Sequence, residues 1–359
     1  MLNHRFRQIR RLIFMMLVML GSIISLLLSN PTQLHAWDSM NLTQSVETHT
    51  SPVLLGMYTS KYLGNQDVID SELNQINTWT GKRHSLAGIF IDIEDSNPEY
   101  NIPTILESLR RNGYTGFINL KSTHTARQIA IGDVDTAVQR FARAYEKWSS
   151  QGEGRMAFIA PFPEMNIPGE KYNSDAANFK LIYERIQTIF GDAGVVKNSV
   201  RWVFAPNGWT ANSTNTFKNY YPGDDKVDVV AFSAYNWGYC HNASWKNWQL
   251  AKEVFEPYIQ QMQTMAPNKP IFIAQTATTS TMQTGKEAKD VKDQWLRDTY
   301  TYLANHGVSA VLYFNIDKEC DWAFYSASDQ RYSLGYKDGV QNSAFGYIAP
   351  AELARNFEF

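Results

Sequence analysis

Eight short, apolar, β-rich runs alternate with stretches of helical periodicity in a chain of 359 residues that is 44% hydrophobic, a pattern that predicts an α/β protein folded as a (β/α)8 (TIM) barrel. A parallel strand covered on both faces reads as a nearly continuous apolar run, and each needs a crossover, usually a helix, before the next. The runs lie at Val53 to Met57, Ala87 to Ile93, Tyr114 to Leu120, Met156 to Phe162, Val200 to Ala205, Val227 to Ala234, Pro270 to Ala274 and Ser309 to Asn315. Between them, Val68 to Trp79, Ile102 to Arg111, Val134 to Trp148, Ala176 to Phe190, Trp248 to Met265 and Lys286 to Asn305 repeat apolar residues at helical intervals. An open doubly wound sheet is the competing architecture, but Gly56-Met57-Tyr58-Thr59 at the end of the first strand lacks the glycine spacing of a phosphate loop. The sequence has no internal repeat, so one barrel domain is expected from residue 52 to residue 359.

The N-terminal segment has the layout of an export signal. Arg5, Arg7, Arg10 and Arg11 precede an uncharged apolar run from Leu12 to Leu28, and Leu34-His35-Ala36 offers a cleavage site, which assigns residues 1–36 to a signal peptide. The run is longer than an ordinary signal core, so an uncleaved membrane anchor is the alternative. Residues 37–51, rich in Ser and Thr, read as a polar linker. The expected location is therefore secreted, periplasmic or extracellular. In an oxidising compartment the two cysteines, Cys240 and Cys320, are a disulfide pair, because they follow strands six and eight at the same end of a barrel.

Lys and Arg total 33 against 35 Asp and Glu, and four of those arginines lie in the leader, which leaves an acidic body and excludes nucleic acid as a partner. The histidines are scattered, with no His-Glu-x-x-His and no Gly-x-Ser-x-Gly, so neither a metal nor another cofactor is expected. The protein is expected to act as a monomer.

Barrel chemistry sits at the C-terminal ends of the strands. After strand four comes Pro161-Phe162-Pro163-Glu164-Met165-Asn166, a stiff frame around one carboxyl, which suits a general acid whose proton must be aimed. After strand five comes Asn207-Gly208-Trp209, after strand six Tyr235-Asn236-Trp237-Gly238, and after strand eight Phe314-Asn315-Ile316-Asp317-Lys318-Glu319-Cys320-Asp321-Trp322. Aromatic faces mixed with amides are what hydroxyl-rich rings need, namely flat apolar contact plus directional hydrogen bonds. Asn166, Asn207, Tyr235, Trp237, Phe314 and Trp322 are accordingly the candidate contacts to a polysaccharide or oligosaccharide. A further acidic cluster, Asp92-Ile93-Glu94-Asp95, puts Asp92 and Glu94 on one strand face but lacks the longer acidic ladder of a chitinase-like site.

In this order and spacing the motifs resemble glycoside hydrolase family 26, the β-mannanase-like branch of the retaining (β/α)8 glycosidases, from roughly Leu54 to Trp322. The resemblance rests on Pro163 to Asn166, Val203 to Asn207, Val227 to Val230 leading into Tyr235 to Gly238, and Phe314 to Glu319. It implies that Glu164 is the acid/base, that Tyr235 hydrogen-bonds the nucleophile, and that Phe314 lines the subsite beside the cleaved bond. Pro163 stands where the family often has histidine, and Ile167 to Tyr172 replaces its tryptophan-rich segment. The larger departure is at the end of strand seven, where the family's nucleophilic glutamate is replaced in Lys269-Pro270-Ile271-Phe272-Ile273-Ala274-Gln275 by an amide.

A retaining glycosidase uses two carboxyl groups, one giving a proton and one attacking the anomeric carbon. Gln275 keeps the shape of glutamate but neither carries the charge nor forms the glycosyl ester. Four readings stand: an active enzyme whose natural glutamate was replaced, a natural sugar binder on the same barrel, substrate assistance oriented by Gln275, or attack by another carboxylate such as Asp317 or Glu319. With no carboxylate at position 275, Glu164 is expected to titrate as an ordinary carboxylic acid.

Overall fold

A computed structural model describes residues 51–59, 66–209, 214–240 and 247–355. The expected signal peptide and all but the last residue of the expected linker lie outside the described residues. Eight parallel strands form the barrel: β1 (Val53–Tyr58), β2 (Leu86–Asp92), β3 (Thr115–Lys121), β4 (Ala157–Pro161), β5 (Val200–Phe204), β6 (Val229–Ser233), β7 (Ile271–Thr276) and β8 (Ala310–Phe314). Each bonds to the next, and β1 pairs with β8 from Leu54↔Ala310 to Tyr58↔Phe314, so the sheet closes and has no exposed edge through the barrel wall. The strands are buried along nearly their whole length because one face fills the interior and the other lies under helices, which is the physical origin of the continuous apolar runs.

The outer layer comprises α1 (Gln66–Thr80), α2 (Pro98–Arg111), a short α3 (Ala126–Ile131), α4 (Asp135–Ser149), α5 (Ala176–Asp192), a one-turn α6 (Phe217–Tyr220), α7 (Ala251–Met265) and α8 (Lys289–Leu303). Helix α2 shows the usual punctuation: Pro98 opens it, Glu99 sits in its first turn and Arg110 and Arg111 in its last, matching the helix dipole. Helix α3 exists because Thr125 and Gln128 form a reciprocal capping box, a local device that carries too few residues for periodicity to reveal.

Beyond β8 the chain adds an antiparallel hairpin, β9 (Tyr325–Ser326) with β10 (Arg331–Tyr332), then α9 (Leu334–Gly339), β11 (Phe345–Gly346) and α10 (Pro350–Arg355). Strand β11 lies parallel beside the start of β1, at Val53↔Phe345 and Leu54↔Gly346. Among the described residues no helix is long and apolar enough to cross a membrane.

Candidate active site

The loop after β4 is built to hold one carboxyl. Phe162 and Glu164 both take left-handed backbone angles, φ 52° and 58°, which cost non-glycine residues on the order of 1–3 kcal/mol each and persist only where surroundings enforce them. The enforcement is visible: Phe162 N donates to Leu120 O at 2.9 Å and Glu164 N to Ala205 O at 2.8 Å. The fully buried Asn166 completes it, its Oδ1 accepting from Asn207 N at 2.8 Å and its Nδ2 donating to Asn207 O at 2.8 Å and Trp209 O at 3.3 Å. The Asn166 amide therefore bonds the backbone of the β5 loop and fixes where Glu164 sits.

Asn207 Nδ2 in turn donates to Glu164 Oε1 at 2.9 Å, so this candidate sugar ligand contacts the acid directly. Glu164 keeps some surface, but protein atoms crowd its carboxyl, and this desolvation raises its pKa against the opposing pull of Asn207, Ser233, Lys318 and Lys121. The expectation of ordinary titration is thereby corrected. Burial supplies a shift that does not need a second carboxylate.

Gln275 faces the site through a break in strand register. Phe232 pairs with Ile273 but Ser233 pairs with Gln275, and on the other side Ile273 pairs with Val311 but Thr276 with Tyr313, so β7 carries an extra residue relative to both neighbours. Tyr235 Oη donates to Gln275 Oε1 at 3.0 Å, with the amide 4% exposed. Burial, then the charge of Glu164, pushes the Tyr235 hydroxyl well above its ordinary range and keeps it a donor. Tyr58, at the end of β1, joins the same group: Asn119 Nδ2 donates to its hydroxyl at 2.7 Å, and burial followed by the opposing Asn119 bond and the Glu164 charge leaves its pKa raised. Gly88 makes room for it, since a Cβ there would lie 2.4 Å from the Tyr58 ring.

The aromatic wall follows. Phe314 lies 5.8 Å from Tyr58 and 6.3 Å from Tyr235, and Trp322 lies 5.4 Å from Tyr235 and 5.0 Å from Trp237, ring centre to ring centre. Trp322 is 1% exposed and Phe314 7%, so they back the wall, whereas Trp237 and Tyr235 keep surface for contact.

Cys240 and Cys320 are disulfide-bonded, with Cα atoms 5.8 Å apart, and tie the loops after β6 and β8 together. A second clamp holds the same loop and was not legible in the sequence. Lys292, 6% exposed on α8, donates to the carbonyl of Asp321 and, at 3.2 Å each, to those of Trp322 and Ala323. Burial lowers Lys292 to about 8. Burial would raise the Asp321 carboxyl, but Lys292, Ser280 and Thr279 outweigh it and hold it below its usual range. Asp317, one of the alternative attacking groups, accepts from Arg331 at 2.5 Å and from Ala323 N at 2.8 Å, so it is engaged within its own loop.

The acidic cluster lies at the ends of β2 and β3, where Glu94 Oε1 accepts from Ser122 Oγ at 2.5 Å and meets His124 Nδ1 at 2.6 Å. Burial and the Glu94 carboxyl push Asp92 up to about 6, and Asp95 binds Asn101 and the Asn97 backbone at the start of α2. Among the described residues no group of three or more His, Cys, Asp or Glu is arranged to hold a metal ion. Sequence reasoning named Glu164, Gln275, Tyr235 and Asn207, which the structure joins through Glu164–Asn207 and Tyr235–Gln275 bonds; it missed Tyr58 and Asn119, which lie in strands and carry no motif.

Residues 167–318 match the model of glycosyl hydrolase family 26, a segment that begins just after Glu164 and includes Tyr235 and Gln275. Endoglucanase H of Acetivibrio thermocellus is 30% identical over 211 residues, 56% of this chain, and the chain spans 21% of that protein's length. The catalytic domain of a Bacillus sp. JAMB-750 GH26 endo-β-1,4-mannanase superposes with a TM-score of 0.62 at 15% identity, covering 84% of this chain and 89% of that one. A β-mannanase from a symbiotic protist of the termite Reticulitermes speratus, solved with a gluco-manno-oligosaccharide, gives 0.57 at 14% identity over 84% and 89%. The chain is thus similar to family 26 glycosyl hydrolases in the sequence from residue 167 to residue 318 and shares the (β/α)8 barrel of their solved members.

Proposed function

We propose that the chain is an exported glycoside hydrolase of the mannanase/endoglucanase type, a member of family 26, that takes a β-linked polysaccharide in the barrel mouth with Glu164 as general acid/base. The observation that carries this reading is the Glu164 carboxyl itself, fixed on a strained turn, bonded to Asn207, and raised in pKa by burial, as a proton donor to a leaving-group oxygen requires. The relatives' substrates support the polysaccharide class, and Tyr235, Trp237, Phe314 and Trp322 supply the aromatic wall.

A retaining mechanism would use position 275 as nucleophile, and Tyr235 bonds that side chain in the manner an orienting tyrosine would. The amide there favours a second reading, a polysaccharide-binding pseudoenzyme on the same barrel, because Gln275 supplies neither charge nor attacking oxygen. Reducing-end release and affinity electrophoresis on soluble glucomannan and mixed-linkage β-glucan separate the two. Cleavage abolished in Glu164→Gln supports the hydrolase, and retardation without cleavage supports the binder. A parent chain that neither cleaves nor binds any β-linked polysaccharide would overturn both.

A further inference from the structure

A groove of about 850 Å³ lies on the flank of the barrel, between α1, the end of α2 and the β9–β10 hairpin, outside the mouth that holds Glu164 and Gln275. Its walls are the rings of Trp79, Tyr325 and Tyr332, and the amides of Asn74, Gln75 and Asn112, with serine and threonine hydroxyls completing the lining and no charged side chain among them. The absence of charge is informative. Ser71, Asn74, Gln75 and Thr78 form one exposed stripe of α1 at helical spacing, where a merely solvated face would ordinarily carry Lys, Glu or Arg.

The groove is also ordered. Trp79 packs 5.5 Å from Tyr325 and 5.9 Å from Tyr332, and Phe324 stacks behind it at 6.2 Å, yet Tyr332 remains 45% exposed. Tyr114 Oη donates to Asn74 Oδ1 at 2.5 Å and Asn74 Nδ2 to Asn112 Oδ1 at 3.1 Å, which fixes those amides before any ligand arrives. The hairpin wall is anchored to the barrel end, because Asn315, next to Phe314, donates to Tyr325 O at 2.9 Å. Lys337 Nζ lies 5.8 Å from the Trp79 ring centre, but the lining side chains themselves are all uncharged, and rigid aromatic faces beside fixed neutral amides and hydroxyls match an uncharged, hydroxyl-rich ring.

We infer that this groove is a second carbohydrate-binding site that holds a neutral polysaccharide chain away from the barrel mouth. The site stands on its own residues; only the choice of β-linked probes rests on the proposed function. The test uses the full chain with soluble glucomannan, mixed-linkage β-glucan and, as a charged control, polygalacturonate in affinity electrophoresis, beside titration with a short gluco-manno-oligosaccharide. Trp79→Ala and, separately, the exposed Tyr332→Ala should each weaken retention on a neutral polymer at least fivefold while leaving oligosaccharide titration unchanged. Trp237→Ala should do the reverse, so failure at the mouth and failure at the flank are distinguishable. Retention unchanged in a folded Tyr332→Ala, retention stronger on polygalacturonate, or no retention of the parent on any neutral polymer would overturn the proposal.

Discussion

Reducing the Cys240–Cys320 bond should lower stability substantially while leaving the barrel mouth intact. The bond spans a sequence separation of 80, and closing a loop of that size removes unfolded-state entropy worth about 4.5 kcal/mol at room temperature in the chain-entropy model. In a domain of this size each kcal/mol moves Tm by roughly 2 °C, so the expected fall is roughly 9 °C. The native loop does not depend on the bond alone, because Lys292 also holds the carbonyls of residues 321 to 323 and Asp321 accepts from Ser280 N at 2.9 Å. Scanning calorimetry of the parent and of Cys240→Ser/Cys320→Ser, with and without reductant, measures the first effect, and oligosaccharide titration at 25 °C measures the second. Two free thiols titrated in the denatured, non-reduced protein, or a double variant that melts with the parent, would rule out this role for the bond.

His84 is fully buried, its Nδ1 donating to Asn77 Oδ1 and its Nε2 accepting from Tyr336 Oη at 2.6 Å each, and burial lowers its pKa to about 3. The unfolded chain therefore binds the extra proton first as pH falls below about 6.5, and folding should lose roughly 3 kcal/mol between pH 6.5 and 4.5; urea midpoints of His84→Gln should lack that slope, and equal slopes would dismiss the idea. Lys292→Met strips the ammonium from the carbonyls behind Trp322 and leaves them without that donor, while Ser280 and Thr279 still donate to Asp321, for a loss of about 1–3 kcal/mol. Because Lys292 is lowered to about 8, the folded state binds fewer protons than the unfolded from pH 8 to about 10, so its contribution to stability rises with pH there, and the variant should erase that rise. Because Tyr235 bonds residue 275 and senses the Glu164 charge, Gln275→Glu should raise the Glu164 pKa further, read by carboxyl NMR; an unmoved Glu164 would mean that the two side chains do not interact.

The barrel was legible because its strands are buried along nearly their whole length and every long helix has one buried stripe, so burial wrote itself into apolar runs and helical intervals. The hairpin at Tyr325 and Arg331 and strand β11 at Phe345 were not, since two-residue strands leave no period to read. Glu164 was legible from the prolines around it. The direction of its pKa shift was not, because it is set by burial outweighing the pull of Asn207 and Ser233, a property of packing. Asn166 and Asn207 stood out by residue type alone; that Asn166 bonds backbone and Asn207 donates to Glu164 is revealed only by their three-dimensional partners. The register break that aims Gln275, and the neutral groove at Trp79, likewise depend on how strands and loops meet, not on any run of letters.

On the proposed function, the barrel holds a polysaccharide against the acid Glu164, with an amide where a nucleophile is needed. Reducing-end release by the parent and by Gln275→Glu on the same β-linked polysaccharide tests it most directly. The substitution should raise hydrolysis about a hundredfold or more, equivalent to about 2.7 kcal/mol of transition-state stabilisation, and adding Glu164→Gln to it should abolish the gain. A parent that already cleaves as fast as Gln275→Glu, or a variant that still binds the polymer yet remains inert, would contradict the account.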